Sequence, residues 1–351
     1  MPSTIDISKL TVIPYLDLTN LHGRSIPSLM FRDGEKWRTW LGTEGGDLIE
    51  VSAWPAEAFY FAKDGDKADP DDMVFRFIDF IAQRACFPEV VPAFLAIQDD
   101  IFNLSASLAK IEHLHVTRAA IGLGVHRMVA GEVEHVFNVC RSVFDLLQEV
   151  IERLWDTILL VDQSIKKRSM KGSFNDITHF KGAPASRDHL MTKFGLPQGL
   201  ADFYVAWTPF FDKLRQFRDA VVHRGSQVQL IFVNDDGFMI SKTLRPFNDM
   251  DVWRESERRE NDLVPLMPAL GVMVLRTLGA CEAFSVEMSK AIVFPPEVAP
   301  GMHLFMRSYF SKTFVRIIND SYERLGVSGA TEAEAPLAEA PDAAAIEGQR
   351  G

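Results

Sequence analysis

The chain has 351 residues, is 47% hydrophobic and 24% charged, and carries a formal net charge of −11. This is an ordinary composition for a folded chain of one large or two modest domains. It excludes a surface that binds polyanions everywhere and leaves only a local basic patch for that purpose. Cys86, Cys140 and Cys281 are odd in number and far apart, with no metal spacing and no disulfide framework, so a reducing cytoplasm is the expected compartment. The N-terminus MPSTIDISKL has no basic-then-apolar leader pattern. The longest apolar run, Leu263 to Leu275, is too short to span a bilayer and contains Pro265 and Pro268.

Residues 1–95 predict a small mixed α/β region. Leu10 to Leu18, Ser25 to Phe31, Trp37 to Leu41 and Asp47 to Ala53 have extended character, and Arg32 to Glu35 reads as a turn. Gly42, Gly45 and Gly46 lack the Gly-Lys-Ser/Thr of a phosphate loop and read as hairpin glycines. Asp64 to Asp72 lacks the glycine and terminal glutamate of an EF-hand loop. A helix is expected from Asp71 to Ala85, a second from Ala93 to Leu108. His113 and His115 would share a face on a strand and could then ligate a metal, but no third ligand follows, and surface histidines are the simpler reading.

Met128 to about Val161 gives the longest helical signal, with Val133, Val136, Phe137, Cys140, Phe144, Leu147 and Ile151 at three-four spacing. Glu134 and Arg141 are on its polar side, either solvated or facing a later helix. Ile165 to Gly195 then reads as a long loop broken by glycine, proline and serine. It holds seven Lys or Arg against two Asp, a local charge of +5. Lys166, Lys167, Arg168 and Lys171 lead it, and Phe174, His179, Phe180 and His189 are interleaved. Such a loop is either an electrostatic funnel for RNA or a mobile, soluble surface segment.

A capped helix is expected to start at Thr208, with Pro209 in its first turn, and to stop at Gly225. A short helix from Gly199 to Trp207 would precede it. Phe210, Leu214, Phe217 and Val221 form its apolar stripe. Arg215, Asp219 and His223 align on the polar side, where Asp219 could accept a hydrogen bond from the His223 ring. Arg218 falls roughly 140° round from His223, so the two converge only if the helix loosens near Gly225 or if two copies meet. Beyond it, Val228 to Val233 and Phe238 to Lys242 predict a β-hairpin. Asp249 to Asp262 reads as exposed mixed charge, Val264 to Ile292 as a buried helix, and Met302 to Leu325 as a final amphipathic helix. Residues 326–351 form an acidic Ala/Glu/Pro tail expected to be disordered.

The phrase LRQFRDAVVHRG, Leu214 to Gly225, resembles the HEPN superfamily, whose signature is an arginine, a polar residue, a few mostly apolar residues and a histidine late in a bundle helix. The match covers Arg218, Asp219 and His223; the surrounding resemblance, residues 128–290, is general helical architecture. It implies a mainly α fold, a HEPN-like helical bundle over residues 96–325 that carries the β-hairpin insertion. It further implies a homodimeric, metal-independent ribonuclease needing no cofactor. His223 would move a proton at a ribose 2′-hydroxyl or leaving oxygen, Arg218 would stabilise the phosphorane-like charge, and Asp219 would orient His223 or hold the arginine. Lys166, Lys167, Arg168, Lys171, Arg215 and Arg224 are the expected RNA contacts. A toxin or defence setting with a regulatory protein partner also follows from the resemblance. This sequence has Asp where many active members have Asn. The competing class is therefore an inactive dimerisation, interaction or nucleotide-binding module, in which His223 and Arg224 merely offset the negative end of the helix dipole.

Overall fold

Short apolar runs near the N-terminus pair into strands: β1 (Met30–Asp33), β2 (Lys36–Gly42), β3 (Leu48–Val51), β4 (Ala58–Ala62) and β5 (Met73–Val74). The computed structural model describes residues 6–326 except 226, 227 and 229, so the expected disordered tail lies outside the described residues. The turn read at Arg32 to Glu35 is the β1–β2 hairpin, with Gly34 at φ +57°. Leu10 to Leu18 is not extended: Ile7–Val12 and Leu18–Asn20 are 3₁₀ turns capped by Asp6 and Asp17. The side chains of those aspartates accept the orphan N–H groups that open each turn.

The helix expected over Asp71 to Ala85 starts later, as α1 (Arg76–Phe80), and continues as a π-helical turn over Ile81–Ala85. α2 (Val91–Ile121) and α3 (Gly124–Trp155) then form a long antiparallel hairpin turned at Gly122, where φ is +72°. α2 extends well past the helix end read at Leu108. His113 and His115 therefore sit on a helix, roughly 200° apart, and cannot share a metal. His115 Nε2 meets the Asn234 carbonyl oxygen at 2.8 Å instead.

The stretch read as a long loop is built. After β6 (Leu159–Leu160) come α4 (Phe174–Thr178), the two-strand hairpin β7 (His179–Phe180) and β8 (Ala183–Pro184), and α5 (Arg187–Phe194). α4 and α5 are short, but each has a serine N-cap, Ser173 and Ser186, accepting from the N–H three residues on. Next, α6 (Gln198–Arg224) is one continuous helix with Pro209 inside it. Thr208 is not a cap; its hydroxyl donates back to the Tyr204 carbonyl at 2.6 Å. The carbonyl that Pro209 cannot bond belongs to Val205, whose side chain is on the exposed face, where water can serve it.

The expected hairpin is β9 (Phe232–Val233) and β10 (Phe238–Ser241), joined by β11 (Leu263–Pro265) into three strands. The mixed-charge stretch before β11 is tied down, because Trp253 is buried and the Glu257 carboxylate holds the buried Arg324 guanidinium. α7 (Leu266–Ala291) is long and apolar enough to cross a membrane but is mostly buried inside the fold. β12 (Ile292–Val293) pairs with β6. The helix expected from Met302 starts only at α8 (Ser311–Arg324), because His303–Arg307 forms β13.

β13 enters the sheet between β4 and β5, giving the order β3-β2-β1-β4-β13-β5. The domain boundary expected at 95/96 falls inside α2, and β13 joins the late chain to the N-terminal sheet. One apolar core runs from Leu10 to Ile318 through sheet and helices. The protein is about 53% helical, mainly α as expected.

Glu282 of α7 is buried at 7% exposure and accepts the N–H groups of Arg76 and Phe77 at the start of α1. Burial outweighs those hydrogen bonds and pushes its carboxyl up to about 7. The folded chain thus keeps a proton that the unfolded chain loses near its usual value of 4.5. Stability falls as pH rises from 4.5 through 7, by about 3 kcal/mol in all. Glu282→Gln should flatten this part of a denaturation-midpoint-against-pH curve; an unchanged slope would show that another group carries it.

Candidate functional site

α6 takes its rotation from α3. Phe217 packs on Phe137 at 4.2 Å between ring centroids, and Phe210 and Phe211 pack on Phe144 at 5.9 and 5.7 Å. With the rings inward, Asp212, Arg215, Asp219 and His223 align outward, at three- and four-residue spacing. Arg141 of α3 faces α6 over Phe211 and pairs with Asp145; it is level with the middle of α6 and not with Arg218.

Arg218, His223 and Arg224 are exposed at the C-terminal end of α6, which stays helical through Arg224 and stops at Gly225. The helix does not loosen, so Arg218 and His223 of one copy do not converge. The Asp219 carboxylate lies 3.3 Å from Arg218 and 3.7 Å from Arg215, and no ion pair joins it to His223. Of the two roles expected for Asp219, it holds arginines.

One turn and more before this end, α6 lines a cleft of about 400 Å³ with α4 and the β7–β8 hairpin. Lys171, Asn175, Asp176, His179, Gly182 and Arg215 form its wall. The Arg215 guanidinium donates to the Asn175 side-chain oxygen at 2.5 Å, with Asp212 at 3.8 Å. His179 Nε2 lies 3.2 Å from Asp212, and its Nδ1 lies 3.1 Å from the Thr178 hydroxyl oxygen. That hydroxyl donates to the Phe174 carbonyl at 2.7 Å, which leaves its oxygen to accept from the ring.

The cleft is fixed from beneath. Tyr204, buried in α6, donates to the Gln148 side-chain oxygen at 2.6 Å, and the Gln148 amide donates to the Lys171 carbonyl at 2.7 Å. The hairpin turn is Lys181-Gly182, both at positive φ (51° and 82°), the conformation that a two-residue primed turn needs. Phe180 stands exposed beside it, with the ammonium groups of Lys181 and Lys193 at 5.3 and 5.0 Å from its ring.

The expected RNA contacts divide. Lys171 and Arg215 line the cleft; Arg224 ends α6; Lys166 and Arg168 are exposed on the segment before α4. Lys167 differs from these. Its ammonium donates to the carbonyls of Trp155, Asp156 and Ile158 at the end of α3, and burial lowers its pKa. A cation on the last carbonyls of a long helix satisfies orphan acceptors at the negative dipole end. The same segment presses on α5: a Cβ at Gly195 would come within 2.2 Å of the Lys166 carbonyl oxygen. Sequence spacing does not bring Asn175, His179 and Asp212 together, because the pair His179–Asp212 spans 33 residues. Among the described residues no group of three His, Cys, Asp or Glu side chains could hold a metal ion.

Compared with known protein families, curated proteins and solved structures, the chain matches none. Replacing Lys167 with Gln should lower stability by about 1–3 kcal/mol, the cost of unpaired acceptors beside a lost charge. Lys166→Gln and Arg168→Gln should leave the thermal midpoint near wild type. Equal midpoints for all three variants would remove Lys167 as the anchor of α3.

Proposed function

We propose that the chain is a HEPN-like endoribonuclease that cuts RNA without a metal, at a site composed by two copies of α6. The observation that carries this reading is the C-terminal end of α6, where Arg218 and His223 are both exposed on a regular helix. The 140° offset between them prevents one copy from aiming both at one phosphate, so a second copy supplies the missing half. Exposed apolar side chains at this end of the bundle, Leu123 and Val222 among them, favour such a contact.

In this reading His223 takes the proton from a ribose 2′-hydroxyl. The freed oxygen attacks the adjacent phosphorus, and the bond from phosphorus to the 5′-oxygen breaks. That oxygen collects a proton from the histidine of the site, leaving a 2′,3′-cyclic phosphate and a 5′-hydroxyl. Arg218 donates paired N–H groups to the charge that builds on the phosphorane oxygens, and Asp219 keeps its guanidinium extended. The +5 segment, Lys171 within it, gives an acidic protein a local approach for the strand. The rival reading, a non-catalytic interaction module, draws on one observation: Arg218 is already paired with Asp219 in the same copy.

Purified wild type should cleave RNA in EDTA and leave cyclic phosphate ends, while Arg218→Ala and His223→Ala each lose about 100-fold or more. Mixing the two inactive variants should restore about a quarter of the activity, since a mixed dimer rebuilds one of two sites. Absent cleavage, or cleavage that both variants retain, would overturn the nuclease reading in favour of the interaction module. A strict monomer at micromolar concentration in sedimentation would overturn the composite site.

A further inference from the structure

The cleft over the middle of α6 has its own chemistry, separate from the helix end. We propose that it is a nucleotide subsite, in which Arg215 and Lys171 hold the phosphate of a phosphodiester and Asp176 accepts from a sugar hydroxyl or base amino group. The identity of that nucleotide as part of an RNA substrate rests on the nuclease reading above; the subsite itself does not.

The donor inventory supports an anion. An arginine has five N–H donors, and Arg215 hydrogen-bonds through one, to Asn175. Its carboxylate neighbours Asp212 and Asp219 stand at 3.8 and 3.7 Å, beyond hydrogen-bond length, so they hold the guanidinium in place without consuming its donors. Asp212 is instead committed to His179, whose ring is fixed at both nitrogens and forms a rigid wall. His179 is a positioning residue here. Lys171 is exposed at the mouth, with its backbone carbonyl tied to Gln148.

The acceptor side selects the class of ligand. Asp176 lines the same cleft and is exposed, so a compact dianion such as inorganic phosphate meets a repelling charge next to the cations. A phosphodiester carries one negative charge and brings hydroxyl and amino donors that Asp176 can accept. At about 400 Å³ the cleft has room for a nucleotide and not merely an ion. The hairpin that supplies Gly182 also places the exposed Phe180 at the lip, with Lys181 and Lys193 against its ring, a surface suited to the strand beyond the subsite. Along α6, Arg215 and His223 are about 12 Å apart on one face, so a strand seated in the cleft runs toward the helix end.

The test is calorimetric titration of the full chain with a dinucleotide of deoxyadenosine, with inorganic phosphate as comparison. The dinucleotide has no 2′-hydroxyl and cannot be cut, so binding is read apart from cleavage. Saturable binding that weakens about tenfold in Lys171→Gln and in Arg215→Gln, with phosphate weaker than dinucleotide, is the expected result. Among the described residues Lys171 makes no side-chain hydrogen bond, so its variant separates lost binding from lost folding; a melting curve checks Arg215→Gln. Three outcomes overturn the subsite: no saturation by wild type up to millimolar dinucleotide, unchanged affinity in both variants, or phosphate binding as tightly as dinucleotide. A chain that binds the dinucleotide but cuts no RNA keeps the subsite and loses the nuclease reading. A chain that cuts RNA but binds no dinucleotide does the reverse.

Discussion

The burial of α3 is the constraint on which the rest of the helical region depends. Its 32 residues would measure about 48 Å, and it packs against α2, α4, α6 and α7. Such a helix can be apolar over much of its circumference only where neighbours cover it, and each neighbour must turn an apolar stripe inward in return. For α6 this sets the rotation. Turning it by one residue, about 100°, would drive Asp212 or Arg218 into the rings of Phe137 and Phe144, at a desolvation cost of several kcal/mol per charge. The polar line from Asp212 to His223 faces outward because the alternative is unaffordable.

The same helix carries one polar group inward, and that group links core to cleft. Gln148 is fully buried, and its side chain bonds to Tyr204 on one side and the Lys171 carbonyl on the other. A buried amide with both ends satisfied is rigid, because any slip leaves a donor or acceptor dry. It transmits the register of α3 to the start of the α4 segment. From there the contacts of Thr178, His179 and Asp212 close the wall against α6. The charged groups of the cleft nearly balance one another, so its selectivity comes from where donors and acceptors stand and less from net field.

What the sequence disclosed followed physical periodicity. The α3 stripe and the outward line on α6 repeat at helical spacing, and the structure has them, as it has the largely buried helix α7. Pro209 misled because its position, and not its identity, decides: on the solvent side of α6 the unbonded carbonyl is served by water. β4, Ala58 to Ala62, escaped because all five of its residues are buried, so it shows no alternation. β13 was read into the following helix for the same reason, its central residues Leu304, Phe305 and Met306 all being apolar and buried. The cleft was hidden most deeply. Its elements are a five-residue helix and two-residue strands, too short to print a period, and their glycines and prolines suggested a loop. Long-range partners give them shape: Asp145, whose carboxylate accepts the Phe174 N–H at 3.3 Å, with Gln148, Asp212 and Arg215.

The place of β13 in the sheet has a consequence for how the chain is made. β4 is complete by residue 62, yet the strand that pairs along it begins at residue 303, and β5 meets the sheet only through that late strand. During synthesis the helical bundle can assemble from contacts close in sequence, while β4 waits with one edge unpaired. An unpaired strand of five apolar residues is a template for another chain's strand. The growing polypeptide is therefore vulnerable to association until that strand is made, and truncation before residue 303 would leave the edge of β4 without its partner.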